Sequence, residues 1–182
     1  MTNLQPETQK KPSAVSRLTY ALLLLLILIA GAYVRFVGID WGEYQYLHPD
    51  ERFLIWVGAD IQPVENLAQY FDAANSSLNP ENRGHPFYVY GTLPMFITRY
   101  LAEWAYERVG FNEMTDMGRT LSALVDWLVI LLVYAVARRA YDQRVAILAA
   151  AFSAFAVLQI QQSHFFTMDT FVNLFTLLAI YY

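Results

Sequence analysis

The sequence predicts an all-α, polytopic membrane bundle, and three observations support this prediction. Charged residues make up only 15% of the 182 residues, whereas soluble domains carry about a quarter. The apolar residues are gathered in long runs, most clearly 18–38 and 117–137, and about 20 apolar residues suffice for a helix to cross a bilayer. The charged residues lie mainly in the polar segments between these runs.

The elements follow in order along the chain. Residues 1–17 are polar and predict a flexible cytoplasmic arm before a membrane domain over 18–182. The first apolar run is longer than the core of a signal peptide, so we expect it to span the membrane. Segment 39–116 predicts a long outer loop. The predicted spans lie at about 18–38, 117–137, 145–162 and 170–182.

Segment 86–108 is aromatic and amphipathic but unsuited to a span. It contains Pro94, Arg99 and Glu103, and charges inside a bilayer are costly. Its Tyr, Trp and Phe residues favour the headgroup level. We therefore expect an interfacial helix over 86–108 within the outer loop.

Basic residues predict the orientation. Lys and Arg near span ends favour the cytoplasm, which places Lys10, Lys11 and Arg17 inside, together with the arginines of loop 138–144. Two crossings, 18–38 and 117–137, join these places. Asp50 and Asp169 then both lie on the outer face and could share one site.

Composition excludes several functions. The chain has no cysteine, so disulfides and thiolate chemistry are absent. The net charge of -4 and the lack of a basic stripe argue against nucleic acid as a partner. The final apolar run, Leu174 to Tyr182, has no polar exit segment. We therefore expect the chain to be part of a longer protein and inactive alone.

The cluster His48-Pro49-Asp50-Glu51 follows the first span closely. Pro49 suits the first turn of a helix, and the two acids favour the positive end of its dipole. A helix start at the membrane surface would explain the cluster without a function. Alternatively, Asp50 is a general base that takes a proton from a hydroxyl group.

A second polar node spans 161–170 and contains His164 and Asp169. Its hydrogen-bonding side chains could bind a polar head group, or they could simply cap a helix end. A divalent metal could bind at Asp50, Asp169 and His164, although nothing in the spacing requires one.

Three polar residues of the second apolar run lie on one helix face, namely Arg119, Ser122 and Asp126. An acid inside a span usually faces protein or a polar cavity, although a plain interhelical hydrogen bond is the simpler explanation. Arg35 and Arg119 could bind a phosphate, whose geometry the guanidinium fork matches. Both could equally be interfacial anchors.

The order of five motifs resembles a known class of enzymes. After the first helix come HPDERF at 48–53, YGTLPMF at 90–96, GRTLSAL at 118–124, ARRAYDQRVAILAAAFSAF at 137–155 and SHFFTMDTF at 163–171. This order resembles the N-terminal part of GT-C glycosyltransferases of the family 39 type. That group includes protein O-mannosyltransferases, the lipid A aminoarabinose transferase and many bacterial homologues.

The resemblance implies a GT-C-like N-terminal module in a bacterial plasma membrane, with a long outer first loop that bears interfacial helices. It implies an inverting transfer of a hexosyl or pentosyl unit from a polyprenyl-phosphate donor to a hydroxyl acceptor. Asp50 would be the catalytic carboxylate and Asp169 its helper. Expected substrate-binding residues are Glu51, Arg35, Arg119, His164 and His48.

Two other functions compete with transfer. A non-catalytic membrane subunit of a larger complex would keep the same fold without needing the acids. A transporter would need Gly or Pro breaks midway in paired spans, and the clear spans show no such pair of breaks.

Overall fold

The computed structural model describes residues 14–43 and 45–182, and this part of the chain contains helices and no strands. The prediction of an all-α membrane bundle is confirmed. The helices are α1 (Ala14–Phe36), α2 (Pro49–Asp60), α3 (Leu67–Phe71), α4 (Thr92–Ala105), α5 (Phe111–Ala140), α6 (Gln143–Phe155), α7 (Val157–Ser163) and α8 (Met168–Tyr181), with a short 3₁₀ helix at Pro80–Arg83.

The structure describes only part of the arm predicted over residues 1–17. Residues 1–13 lie outside the described residues, while the structure continues α1 back to Ala14.

Helix α5 is the centre of the bundle. It packs against α1, α2, α4, α6, α7 and α8, and its 30 residues give a length of about 45 Å. Helices α1 and α5 are long and apolar enough to cross a bilayer. Most of α1 is exposed, including a row of leucines, so this surface is suited to lipid contact.

The segment that joins α1 to α5, called here the first polar connection, contains α2 to α4 and packs on one end of α5. Its α4 begins at Thr92 and ends at Ala105, so it is shorter at both ends than the expected 86–108 helix. Fourteen residues reach only about 21 Å, less than the hydrocarbon core of about 30 Å. One face of α4 is buried through Met95, Thr98 and Ala102; the other exposes Leu93, Ile97, Tyr100 and Trp104.

The expected continuous helix over 145–162 is interrupted. Helices α6 and α7 meet at Ala156 with a bend of 55°, although neither Gly nor Pro stands at the break. The Arg35 guanidinium stabilises the break, because it donates to the carbonyl oxygens of Ser153 (3.1 Å) and Ala154 (2.9 Å). These oxygens of the last α6 turn would otherwise lack partners.

Residues 164–167 join α7 to α8 and form the second polar connection. Gly118 allows this connection to lie directly on α5. A Cβ atom at Gly118 would come 2.4 Å from Cγ of Phe166, and the Phe166 ring is fully buried. The absence of a side chain at this position therefore sets how closely residues 164–167 approach α5.

We predict that Gly118→Ala lowers the free energy of unfolding by about 1–3 kcal/mol, because overpacking displaces the Phe166 ring. Thermal unfolding in detergent, followed by near-ultraviolet circular dichroism, measures the change. Gly91→Ala is the control, since no atom lies within 4 Å of a Cβ there. Equal stability of the Gly118 variant and the wild type would contradict this packing.

Candidate active site

A cavity of about 410 Å³ opens where the two polar connections meet α5, α7 and α8. Asp50 and Asp169, the two predicted catalytic acids, both line it. Asp50 is half-buried and Asp169 is exposed. The other lining residues are Tyr90, Asp126, Leu158, Gln159, Gln162, Thr167, Met168, Val172 and Asn173.

The start of α2 directs Asp50 and Glu51 to different surroundings. Pro49 occupies the first helical position, and the His48 side chain accepts weakly from the Glu51 N–H at 3.5 Å. The expected helix start is therefore present. Consecutive helical residues point about 100° apart, so Asp50 faces the cavity while Glu51 is completely buried.

Tyr90 is the direct partner of Asp50. Its phenol hydroxyl donates to Asp50 Oδ1 at 2.9 Å. Burial raises the pKa of Tyr90 above its ordinary value of 10.0, and the hydrogen bond and negative charge of Asp50 raise it further, as does the charge of Asp169. Tyr90 therefore remains a neutral donor that orients the Asp50 carboxylate throughout the physiological pH range.

Glu51 joins three separate parts of the chain. Its carboxylate receives two hydrogen bonds from Arg119, from Nε at 2.7 Å and from Nη2 at 2.8 Å. It also accepts the backbone N–H of Phe166 at 2.9 Å. Such a bidentate pair is a strong, directional interaction. Glu51 thus connects the first polar connection to α5 and to the second connection.

Arg119 extends this connection to the end of α1. Its Nη1 donates to the carbonyl oxygens of Ile39 at 3.1 Å and Trp41 at 2.9 Å. The guanidinium carbon lies 5.4 Å from the centre of the Trp41 ring, within cation–π range. Arg119 is almost completely buried and does not line the cavity.

Arg35 is engaged in a second buried network. Its Nε donates to Asp126 Oδ2 at 2.7 Å, in addition to its bonds to the end of α6. The Arg35 side chain is fully buried. The guanidinium therefore lies behind the cavity wall that Asp126 forms.

His164 and His48, which were predicted to bind substrate, instead contact other parts of the protein. The Nε2 atom of His164 lies 3.0 Å from the Val37 carbonyl oxygen, and Nδ1 lies 2.7 Å from that of Ile160. The His48 ring packs 4.7 Å from that of Phe165. None of the five expected substrate-binding residues lines the cavity. These residues are Glu51, Arg35, Arg119, His164 and His48.

Several lining residues were not assigned to the site from the sequence. Tyr90 is one of several aromatic residues in its loop, and nothing local to it indicated a contact with Asp50, 40 residues away. Asn173 had a local signal, because it lies four residues after Asp169 on α8, and residues at this spacing share a helix face. Gln162 belongs to the polar node 161–170, which was predicted to bind a polar head group or to cap a helix end, and Gln159 lies three residues before it on α7.

A metal centre has little support from side-chain clusters. Within 14–43 and 45–182, no group of three or more His, Cys, Asp or Glu residues is placed to hold an ion.

The fold and the cavity define an integral membrane protein with a polar pocket at one end of a helical bundle. Residues 96–182, slightly less than half of the chain, match the family model of dolichyl-phosphate-mannose-protein mannosyltransferase. This match supports the resemblance to mannosyltransferase-type GT-C glycosyltransferases over residues 96–182. The matched range contains Asp169 but not Asp50. No match was found among curated proteins or among solved structures.

We predict that Glu51→Leu destabilises the protein by about 3–5 kcal/mol, because it leaves the buried Arg119 charge unpaired. Glu51→Gln should cost less, since its amide oxygen can still accept hydrogen bonds. Denaturant unfolding in detergent measures both changes, and Glu65→Leu, at an exposed position, is the control. A Glu51→Leu variant as stable as the control would contradict the assigned role of Glu51.

We also predict that the contribution of Tyr90 to the stability of the protein depends on pH. Because its pKa is raised in the folded protein, its contribution to stability is complete below pH 10 and is lost as pH rises through the folded-state pKa. Carbon-13 NMR of labelled tyrosine should show Tyr90 titrating above pH 10 in the wild type and at lower pH in Asp50→Asn. An unchanged midpoint in that variant would contradict the hydrogen bond.

Proposed function

We propose that the protein transfers a sugar from a polyprenyl-phosphate-linked donor to a hydroxyl acceptor at the non-cytoplasmic face of the membrane. The observation that supports this most is the shared cavity, which brings Asp50 of the first connection and Asp169 of α8 together. The family match over 96–182 supplies the class of reaction.

Charge and the fold support this orientation. Arg138, Arg139 and Arg144 surround the turn between α5 and α6, and this cluster favours the cytoplasmic side. The cavity reaches Asp126, midway along α5, and its other walls include Asp50 and Tyr90 of the first connection, which joins α5 at the end opposite to these arginines. The exposed apolar face of α4, including Leu93 and Trp104, would then rest in the outer membrane interface.

The reaction is a single displacement. An acceptor hydroxyl oxygen forms a bond with the anomeric carbon while the bond from that carbon to the phosphate oxygen breaks. The acceptor proton passes to the Asp50 carboxylate, and polyprenyl phosphate leaves with the electron pair. Attack opposite the leaving group inverts the anomeric carbon. Asp169 binds or orients a substrate hydroxyl from the other side of the cavity.

Tyr90 assists by holding Asp50 in position. Its hydrogen bond occupies Oδ1, which leaves Oδ2 of the same carboxylate to receive the acceptor proton. A general base must lie within hydrogen-bond reach of the proton that it takes. The half-buried position of Asp50 on the cavity wall meets this requirement for an acceptor bound there.

We predict that Asp50→Asn lowers the transfer rate by about 10²–10⁴-fold, the usual contribution of a general base. The assay uses membranes that contain the whole protein and follows radiolabel from a polyprenyl-phosphate sugar to the acceptor fraction. Asp72→Asn is the matched control, because Asp72 is an exposed acid of the same connection that lies away from the cavity. Full activity of Asp50→Asn would contradict the role of Asp50 as the general base. Wild-type membranes that transfer no more label than membranes without the protein would favour a non-catalytic membrane subunit and overturn the proposal.

A further inference from the structure

One end of the helical bundle is rich in arginine. Helix α5 ends with Arg138, Arg139 and Ala140, and Arg144 lies in the first turn of α6. Neither α1 nor α6 contains an acidic residue, and Asp142 is the one acid of the turn between α5 and α6. This arginine-rich end lies away from the first polar connection, which packs on the other end of α5.

Asp142 caps α6 and is not paired with a guanidinium group. Its Oδ1 accepts the backbone N–H groups of Arg144 at 2.7 Å and Val145 at 3.0 Å, which is the usual bonding of an N-cap residue. Within residues 14–43 and 45–182, no ion pair joins Asp142 to an arginine. The arginine-rich end therefore keeps an excess of positive charge, which attracts an anion.

Two of the arginines lie at the same end of the contact between α1 and α6. Leu24 of α1 packs against the buried cluster that contains Ala150 of α6. Tyr20 and Arg17 lie four and seven residues before Leu24, and this spacing places all three on one face of α1. The Arg144 guanidinium donates a hydrogen bond to the hydroxyl oxygen of Tyr20. Tyr20 thus connects α6 to the face of α1 that carries Arg17.

The chemistry of these three side chains matches a phosphate group. Guanidinium groups only donate hydrogen bonds, and their planar fork fits the oxygens of a phosphate. The Tyr20 oxygen accepts from Arg144, while a phenol hydroxyl also has a hydrogen to donate to a phosphate oxygen. Arg17 and Arg144 are both exposed, so a ligand can reach them from the membrane surface.

An apolar stripe of α6 continues from Arg144 away from the arginine-rich end. Leu148 and Phe155 lie four and eleven residues after Arg144, which is about one and about three helical turns. Their side chains are 58% and 54% exposed. A free phosphate would use only the arginines, whereas a lipid would use both the arginines and this stripe.

We infer that the arginine-rich end of the α1–α6 contact binds an anionic phospholipid, with its phosphate group at Arg17, Tyr20 and Arg144 and an acyl chain along Leu148 and Phe155. A zwitterionic phospholipid fits less well, because its ammonium group would meet arginines that no acid compensates. The site lies away from the cavity of Asp50, so the inference goes beyond the proposed function and does not depend on it.

Two probes that differ in the head group test this site: dioctanoyl phosphatidylglycerol and dioctanoyl phosphatidylcholine. Native mass spectrometry of the full-length protein in detergent measures the affinity for each lipid. The wild type should bind phosphatidylglycerol more tightly. Arg17→Gln and Arg144→Gln should each weaken that binding about 5-fold, the usual contribution of one arginine near anionic lipid, and leave phosphatidylcholine binding within twofold of the wild type.

Tyr20→Phe separates a specific site from a general attraction by positive charge. It keeps the net charge and the aromatic ring but removes the hydroxyl group, so phosphatidylglycerol binding should weaken about 3–10-fold, the equivalent of one hydrogen bond. Arg52→Gln is the matched control, because it removes the same charge from an exposed position in α2. This variant should bind both lipids as the wild type does.

Three results would overturn the inference. The first is equal affinity of the wild type for the two lipids, and the second is unchanged phosphatidylglycerol binding in both arginine variants or in Tyr20→Phe. The third is complete displacement of phosphatidylglycerol by millimolar inorganic phosphate, which would identify a site for free anions. None of these results bears on sugar transfer, so the proposed function is tested separately.

Discussion

The buried carboxylate of Glu51 is the interaction on which the rest of the site depends. It binds Arg119 of α5 and the backbone of Phe166 at once, although these partners lie 68 and 115 residues away in the chain. An ion pair that is buried away from water is stable only when its geometry is good and its remaining hydrogen-bonding groups have partners. The N–H of Phe166 is one such partner, and the second polar connection is thereby fixed against the first.

A second constraint is the break between α6 and α7. Backbone groups at membrane depth need partners within the protein, because lipid offers none. The Arg35 guanidinium supplies them for Ser153 and Ala154, and Asp126 neutralises its charge. The bend lets α7 turn Gln159 and Gln162 toward the cavity. A second arginine acts similarly at the end of α2, where Arg99 donates to the carbonyl oxygens of Gly58 and Ala59.

The sequence predicted those features that depend on local patterns. Apolar runs indicated α1 and α5, and Pro49 with its following acids indicated the start of α2. The positions of Asp50 and Asp169 relative to the crossings led to the idea of a shared site, and both acids line one cavity. Their catalytic roles stay predictions.

Features that depend on distant partners were not predictable in this way. The break at Ala156 has no Gly or Pro, and the carbonyl oxygens next to it are bonded by Arg35, which is 118 residues from Ser153. Arg35 and Arg119 have the residue type of phosphate ligands, but their type could not reveal that Asp126 and Glu51 lie within hydrogen-bond distance. The hydrogen bond from Tyr90 to Asp50 was likewise not predictable, since it depends on how the first connection folds back.

The proposed site requires both polar connections to lie on one face of the membrane. Because the chain has no cysteine, single cysteines can report it cleanly at the exposed positions Glu81, Gln161 and Tyr141. A membrane-impermeant maleimide added to intact cells should label Glu81→Cys and Gln161→Cys and should reach Tyr141→Cys only after the membrane is opened. Labelling of Glu81→Cys and Gln161→Cys from opposite sides would contradict the account.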